Sequence, residues 1–257
     1  MSAALVGMLP DGLDWTAFWL LGIASFLGSL MTAALGVGGG AFLLIVMAEF
    51  ISPMALIPLH GLVQLGSNAN RAWHTRANVL PRVVVPFALG ALVAAASAVW
   101  FLGKMNLAWV PLLVALFILW LSWGPMPTLN LIENPGQTAL GGWVTTLATM
   151  VFGATGPLVS AWLGRSFGDR LTYTACFSFC MTWQHFLKIG VFLWAGFNFM
   201  PWMGLVVWMI GLGYGGTLVG LRLLHHLPEA AFRKIFRWVL TLLALRVLWN
   251  AWPDIVG

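Results

Sequence analysis

The chain has 257 residues, of which 61% are hydrophobic and only 7% charged, and its mean hydropathy is +0.93. A soluble domain carries about 25% charged residues, so this composition excludes a soluble enzyme, a disordered chain and a nucleic-acid-binding domain. The formal net charge of +5 matters through placement, because Lys and Arg in short loops orient a membrane protein.

Apolar runs and their breakers predict ten helical segments. The first five are 14–35, a short one at 40–51, 54–73, 82–102 and 106–123. After the polar stretch Gly124 to Gln137 come 138–152, a short one at 157–166, 171–197, 201–221 and 230–252. The short segments span ~15–18 Å, about half of a hydrocarbon core. The expected class is an all-α polytopic integral membrane protein with eight long and two half-length helices. No Lys or Arg precedes Asp14, so the positive region of a cleaved signal peptide is missing and the first segment is expected to be retained.

Three regions hold most of the base: Arg71, Arg76 and Arg82; Arg165 and Arg170; and Arg222, Arg233, Lys234 and Arg237. If all segments cross in alternation, these regions fall in the cytoplasm and both termini outside, as the positive-inside rule asks. The central loop, with Glu133 and no base, is the exception.

A shift of 117 positions pairs Thr32 with Thr149, Gly36 with Gly153, Gly39 with Gly156 and Gly103 with Gly220, and sets Arg71 against Lys188. The identity is low, but the order of long, broken, short and polar-striped segments recurs. The expected division is a first repeat at 1–123, a central loop at 124–137 and a second repeat at 138–257. Five segments per repeat is odd, so the halves would have opposite topology, as in many secondary transporters.

Two glycine breaks open the short segments: Gly36-Val37-Gly38-Gly39-Gly40, and Gly153-Ala154-Thr155-Gly156-Pro157. Glycine admits close approach of a ligand to backbone. A helix start offers free N–H groups and a partial positive charge, so two such starts inside a membrane make an anion site. Gly38, Gly39, Gly40, Thr155 and Gly156 are the candidate donors. The competing reading is tight helix packing.

The third segment carries a polar stripe of His60, Gln64, Ser67, Asn68 and Arg71, within roughly a 100° arc. The eighth carries Cys176, Cys180, Gln184, His185 and Lys188. Such stripes face the bundle interior or an aqueous path. Lys188 precedes nine uncharged residues and is the candidate cation of an anion path. Arg71 is equally compatible with positive-inside placement. Glu49, His60 and His185 are proton-coupling candidates; Glu49 could instead pair with a base. Cys176 and Cys180 could touch a soft sulfur atom or simply pack. Hydrolase, zinc-protease, P-loop and C-x-x-C motifs are missing, so no catalytic residue, metal or cofactor is expected.

The run GVGGGAFLLIVMAEFISPMALIPLHGLVQLGSNANRAWHTRANV, Gly36 to Val79, resembles the first-half signature of the sulfite exporter TauE/SafE family. That signature joins a glycine cluster opening a short helix, a break near Pro, a helix with a Ser/Asn face and a His- and Arg-rich loop. Chain length, the weak repeat and Gly153 to Pro157 fit as well. The resemblance implies transport of sulfur-containing anions, such as sulfite, sulfoacetate or other organosulfonates, across the bacterial inner membrane. The expected partners are then a small sulfur-containing anion and the lipid bilayer, with no nucleic acid; a homo-oligomer is compatible with this. Rival readings are an anion channel of the same fold and a membrane-embedded redox or assembly protein.

Overall fold

The computed structural model describes residues 9–10, 12–102, 109–125, 134–163, 167, 169–223 and 229–256, with the side chains of 101–102, 229–236 and 252–256 left aside. Lys104, Glu133, Arg165 and the His225–His226 pair therefore lie outside the described residues.

Ten α-helices are described: α1 (Trp15–Leu35), α2 (Gly39–Met47), α3 (Pro53–Thr75), α4 (Pro81–Leu102), α5 (Val110–Trp123), α6 (Pro135–Phe152), α7 (Gly156–Leu163), α8 (Arg170–Trp194), α9 (Met203–Leu223) and α10 (Glu229–Val256). Eight are long and two, α2 and α7, have nine and eight residues. Boundaries follow local chemistry. Asp14 caps α1 by accepting the Ala17 N–H at 2.6 Å, and Asp169 caps α8 through Thr172 N–H at 2.8 Å. Asn134 caps α6, which starts it at Pro135 rather than at the expected 138. Helix α8 stops at Trp194, short of the expected 197, because Gly196 turns left-handed at φ 85°.

The two breaks have the same form. Gly36 (φ 86°) and Gly153 (φ 84°) are left-handed residues just beyond α1 and α6. Each sends its N–H to a threonine carbonyl four residues back, Thr32 at 2.9 Å and Thr149 at 3.1 Å. A non-glycine residue pays for positive φ, so each helix ends where the sequence offers glycine.

Side-chain contacts fix how the long helices run. Helix α1 meets α9 at Gly22–Trp208 and again at Leu30–Gly220, so the pair is parallel. Helix α3 meets α9 at Gly66–Ile210 and His74–Tyr214, also parallel. Hence α1 and α3 share a direction, and the short α2 with its turn carries the chain back. The other side behaves alike. Helix α4 meets α6 at Phe87–Gly142 and, further along, where Ala98 and Met150 share a cluster. It meets α8 at Ala88–Trp183 and then at Ala98–Val191. So α4, α6 and α8 are parallel, and α7 returns the chain between α6 and α8. Across the centre α3 and α8 run antiparallel, with Arg71 on Ser178 and Gly61 on Lys188.

The bundle is apolar outside and buries a polar seam within an otherwise apolar interior. Trp100, Trp194, Leu242 and Trp249 are each at least 65% exposed. Gln64, Asn68, Arg71, Gln184, His185 and Lys188 are each at most 6% exposed. That inversion suits a hydrocarbon surround, where polar groups must find partners internally. Among the described residues α1, α4 and the Met200–Leu223 stretch are long and apolar enough to cross a membrane by composition alone; α3 and α8 carry the polar seam instead.

Candidate functional site

The starts of α2 and α7 meet at one pocket, walled by the α3–α8 seam. Gly38 and Gly40 line it from α2, and Ala154, Gly156 and Pro157 from the second break. Gln64 and Asn68 face it from α3, and Phe177, Met181 and His185 from α8. The cavity is about 20 Å³, room for about one water. Gly38 sits at φ 106° just before α2, a backbone conformation that glycine adopts without strain.

The polar residues of α3 and α8 are tied into the protein. His60 donates from Nε2 to the Gly40 carbonyl at 2.9 Å; a carbonyl only accepts, which fixes the tautomer. His60 and His185 stand edge to face with ring centroids 6.0 Å apart. Asn68 donates to the Gln64 backbone oxygen at 2.8 Å and to Gln64 Oε1 at 3.1 Å, which commits its own carbonyl oxygen to Arg71 Nη2. Gln184 donates to Thr145 Oγ1 at 2.6 Å and Thr146 Oγ1 at 2.9 Å, and Thr155 Oγ1 approaches it at 3.5 Å. Lys188 donates from Nζ to the Gly153 carbonyl at 2.7 Å.

Not every expected site residue reaches the pocket. Gly39 faces away: a Cβ there would lie 1.7 Å from the Gly28 carbonyl oxygen, so this glycine lets α2 lie against α1. Cys176 and Cys180 sit in an apolar cluster with Val83 and Phe87, and Cys176 Sγ accepts the Leu80 N–H at 3.3 Å. Glu49 lies beyond the end of α2, bonded to Arg246 Nε at 2.9 Å and to Asn250 at 3.2 Å, both on α10. Thr155 and Gln184 stand behind the pocket wall, joined to α6, and His60, Arg71 and Lys188 likewise sit behind the lining rather than in it.

Sequence reasoning passed over Ser178, Thr145, Thr146 and Arg246. Thr145 and Thr146 offered a signal, as adjacent hydroxyls in an apolar run. Arg246 offered another, as the one base between Trp238 and Trp252. Ser178 offered none, because a lone serine is common in helix packing.

A helical bundle with an apolar exterior, two broken helices and a small pocket at their meeting point, backed by a buried polar seam, is the build of a membrane transport protein. The chain belongs to the sulfite exporter TauE/SafE family, whose model matches residues 20–247. A curated relative, the probable inner membrane transporter protein TsaS of Comamonas testosteroni, is 25% identical over 241 residues, covering 85% of this chain and 91% of that protein. No solved structure matches the chain.

Proposed function

We propose that the protein is a secondary transporter of sulfur-containing anions, such as sulfite, sulfoacetate or other organosulfonates, in the bacterial inner membrane. The observation that carries this reading is the meeting of two helix starts at one pocket flanked by buried Arg71 and Lys188. Helix N-termini and a cation favour an anion at that point. The family and the relative's name support transport and membrane location; the sulfur chemistry comes from the family's description.

In this reading the two five-helix halves are inverted repeats that rock about the pocket. Support comes from the matched caps at Gly36 and Gly153 and from the opposed sets α1, α3, α9 and α4, α6, α8. The small size of the cavity, room for about one water, favours alternation over a standing pore. Gly38, Gly40 and Gly156 would face the substrate, with Gln64, Asn68 and His185 beside it. Proton coupling runs through the His60–His185 pair in this reading, His185 lining the pocket and His60 beside it.

The test is counterflow in proteoliposomes loaded with sulfite, sulfoacetate, or carboxylates of matched size. Saturable exchange of a sulfur anion, reduced by Gly40→Val, supports the proposal. Flux that neither saturates nor exchanges would turn the reading to a channel, and no anion flux in folded protein would end it.

A further inference from the structure

The polar seam holds two basic side chains, Arg71 and Lys188, and, among the described residues, no carboxylate. Arg71 is 1% exposed. Its Nε donates to Ser178 Oγ at 2.6 Å and its Nη2 to Asn68 Oδ1, while the Phe177 ring centroid lies 5.8 Å from Cζ. The remaining nitrogen, Nη1, is buried and has no partner. Every group around this guanidinium is neutral, and a guanidinium does not give up its charge. Lys188 is 0% exposed and rests on a neutral carbonyl. The acids with described side chains are elsewhere: Asp14 and Asp169 cap helices and Glu49 pairs with Arg246.

Burying a basic side chain without a counter-charge is costly, and this bundle does so twice, each time one residue behind the lining of the pocket. Asn68 and Phe177, which touch Arg71, line one wall; Ala154, next to the Gly153 that holds Lys188, lines the other. The Arg71 side chain is already fixed by Ser178 and Asn68, so its free N–H is held in place before any ligand arrives. A pre-positioned, unfilled donor on a buried charge is what an anion ligand needs.

We infer that the bound substrate is a dianion, with Lys188 balancing one charge and Arg71, through Nη1, reading the other. This rests on the anion-transport reading above and narrows it to anions of two charges over monoanions of the same shape.

The test compares pairs that differ by one charge: sulfate with methanesulfonate, and sulfoacetate with its amide. Affinities come from ligand-dependent thermal stabilisation of the purified full chain. In the wild type at least one dianion should bind tenfold or more tightly than its monoanionic partner. Arg71→Gln should erase that preference, and Asn68→Asp, which sets a carboxylate against Arg71, should do the same if Arg71→Gln fails to fold. Equal affinities within both pairs, or a preference that survives both substitutions, would overturn the dianion assignment and leave the anion reading standing. Absence of binding by every anion, sulfite included, in folded protein would overturn both.

Discussion

Lys188 Nζ donates to the carbonyl of Gly153 at 2.7 Å, and the same oxygen accepts Thr149 Oγ1 at 3.0 Å. The lysine stem reaches there across Gly61, where a Cβ would come within 2.7 Å of Lys188 Cδ. One side chain of α8 thus crosses α3 and holds the backbone at the broken end of α6. The end of a helix carries partial negative charge on its free carbonyls, so an ammonium suits it. The arrangement makes Lys188 both a source of positive potential at the pocket and a strut for the second break.

Lys188→Met tests both roles at once. Methionine keeps much of the stem but removes the charge and the hydrogen bond to Gly153, whose carbonyl keeps Thr149 Oγ1. Losing a charged hydrogen bond costs about 1.5–3 kcal/mol, offset in part by relief of the buried charge. The expected outcome is a melting temperature unchanged or lowered by a few degrees, with transport reduced at least tenfold. Thermal unfolding and proteoliposome flux on the same preparation check this; intact flux would remove Lys188 from the transport cycle.

Gly39 and Gly190 make a matched pair. A Cβ on Gly39 meets the Gly28 backbone at 1.7 Å and Thr32 Oγ1 at 2.4 Å, whereas one on Gly190 meets nothing within 4 Å. Backbone cannot step aside as a side chain can. Gly39→Ala should therefore cost at least the ~1–3 kcal/mol typical of overpacking. Gly190→Ala should stay within about 1 kcal/mol of wild type, the scale of glycine's effect in a helix interior. Equal stabilities by thermal or denaturant unfolding would mean that α1 and α2 are not packed as described.

The sequence made the helix count and the two breaks legible because glycine, proline and hydropathy act locally. The α3 and α8 stripes were legible for the same reason: His60, Gln64, Asn68 and Arg71 share a face by spacing alone. What each side chain bonds was not legible, since that depends on which helices meet. The close approach of Gly39 to the Gly28 backbone, beside its expected role as a ligand donor with Gly38 and Gly40, was not legible. Cys176 shares a stripe with Gln184 but joins the α4 cluster, because α4 crosses α8 at that level. The Glu49–Arg246 pair spans 197 positions and joins two helices with no local pattern to connect them.

That pair gives an asymmetric prediction. The Glu49 side chain is 7% exposed and that of Arg246 is 68% exposed. Removing the arginine leaves a mostly buried carboxylate with Asn250 alone; removing the carboxylate frees an arginine that solvent or headgroups can satisfy. Arg246→Gln should therefore destabilise more than Glu49→Gln, and the double-mutant coupling should be about 1 kcal/mol, the upper range for a pair with one exposed partner. Counterflow should persist in both variants. Its loss in Glu49→Gln with stability unchanged would instead give Glu49 a role in the transport cycle.

The direction of the seam can be read from outside the protein. Helices α3 and α8 are antiparallel, so their C-terminal ends lie on opposite faces of the bundle. Ala77, just past α3, and Ala195, just past α8, are both exposed, while Cys176 and Cys180 are buried and should give little background. With Arg71 buried in the seam, the exposed Arg76 and Arg82 predict a cytoplasmic α3 end by the positive-inside rule. A membrane-impermeant maleimide should then label Ala195→Cys in intact cells, and Ala77→Cys only in inverted vesicles. Labelling of both from one face would contradict the antiparallel seam and the return of the chain through α2 and α7. Labelling from opposite faces in the reverse sense would keep the fold and invert its orientation, because the contacts fix relative directions and only the charges fix the absolute one.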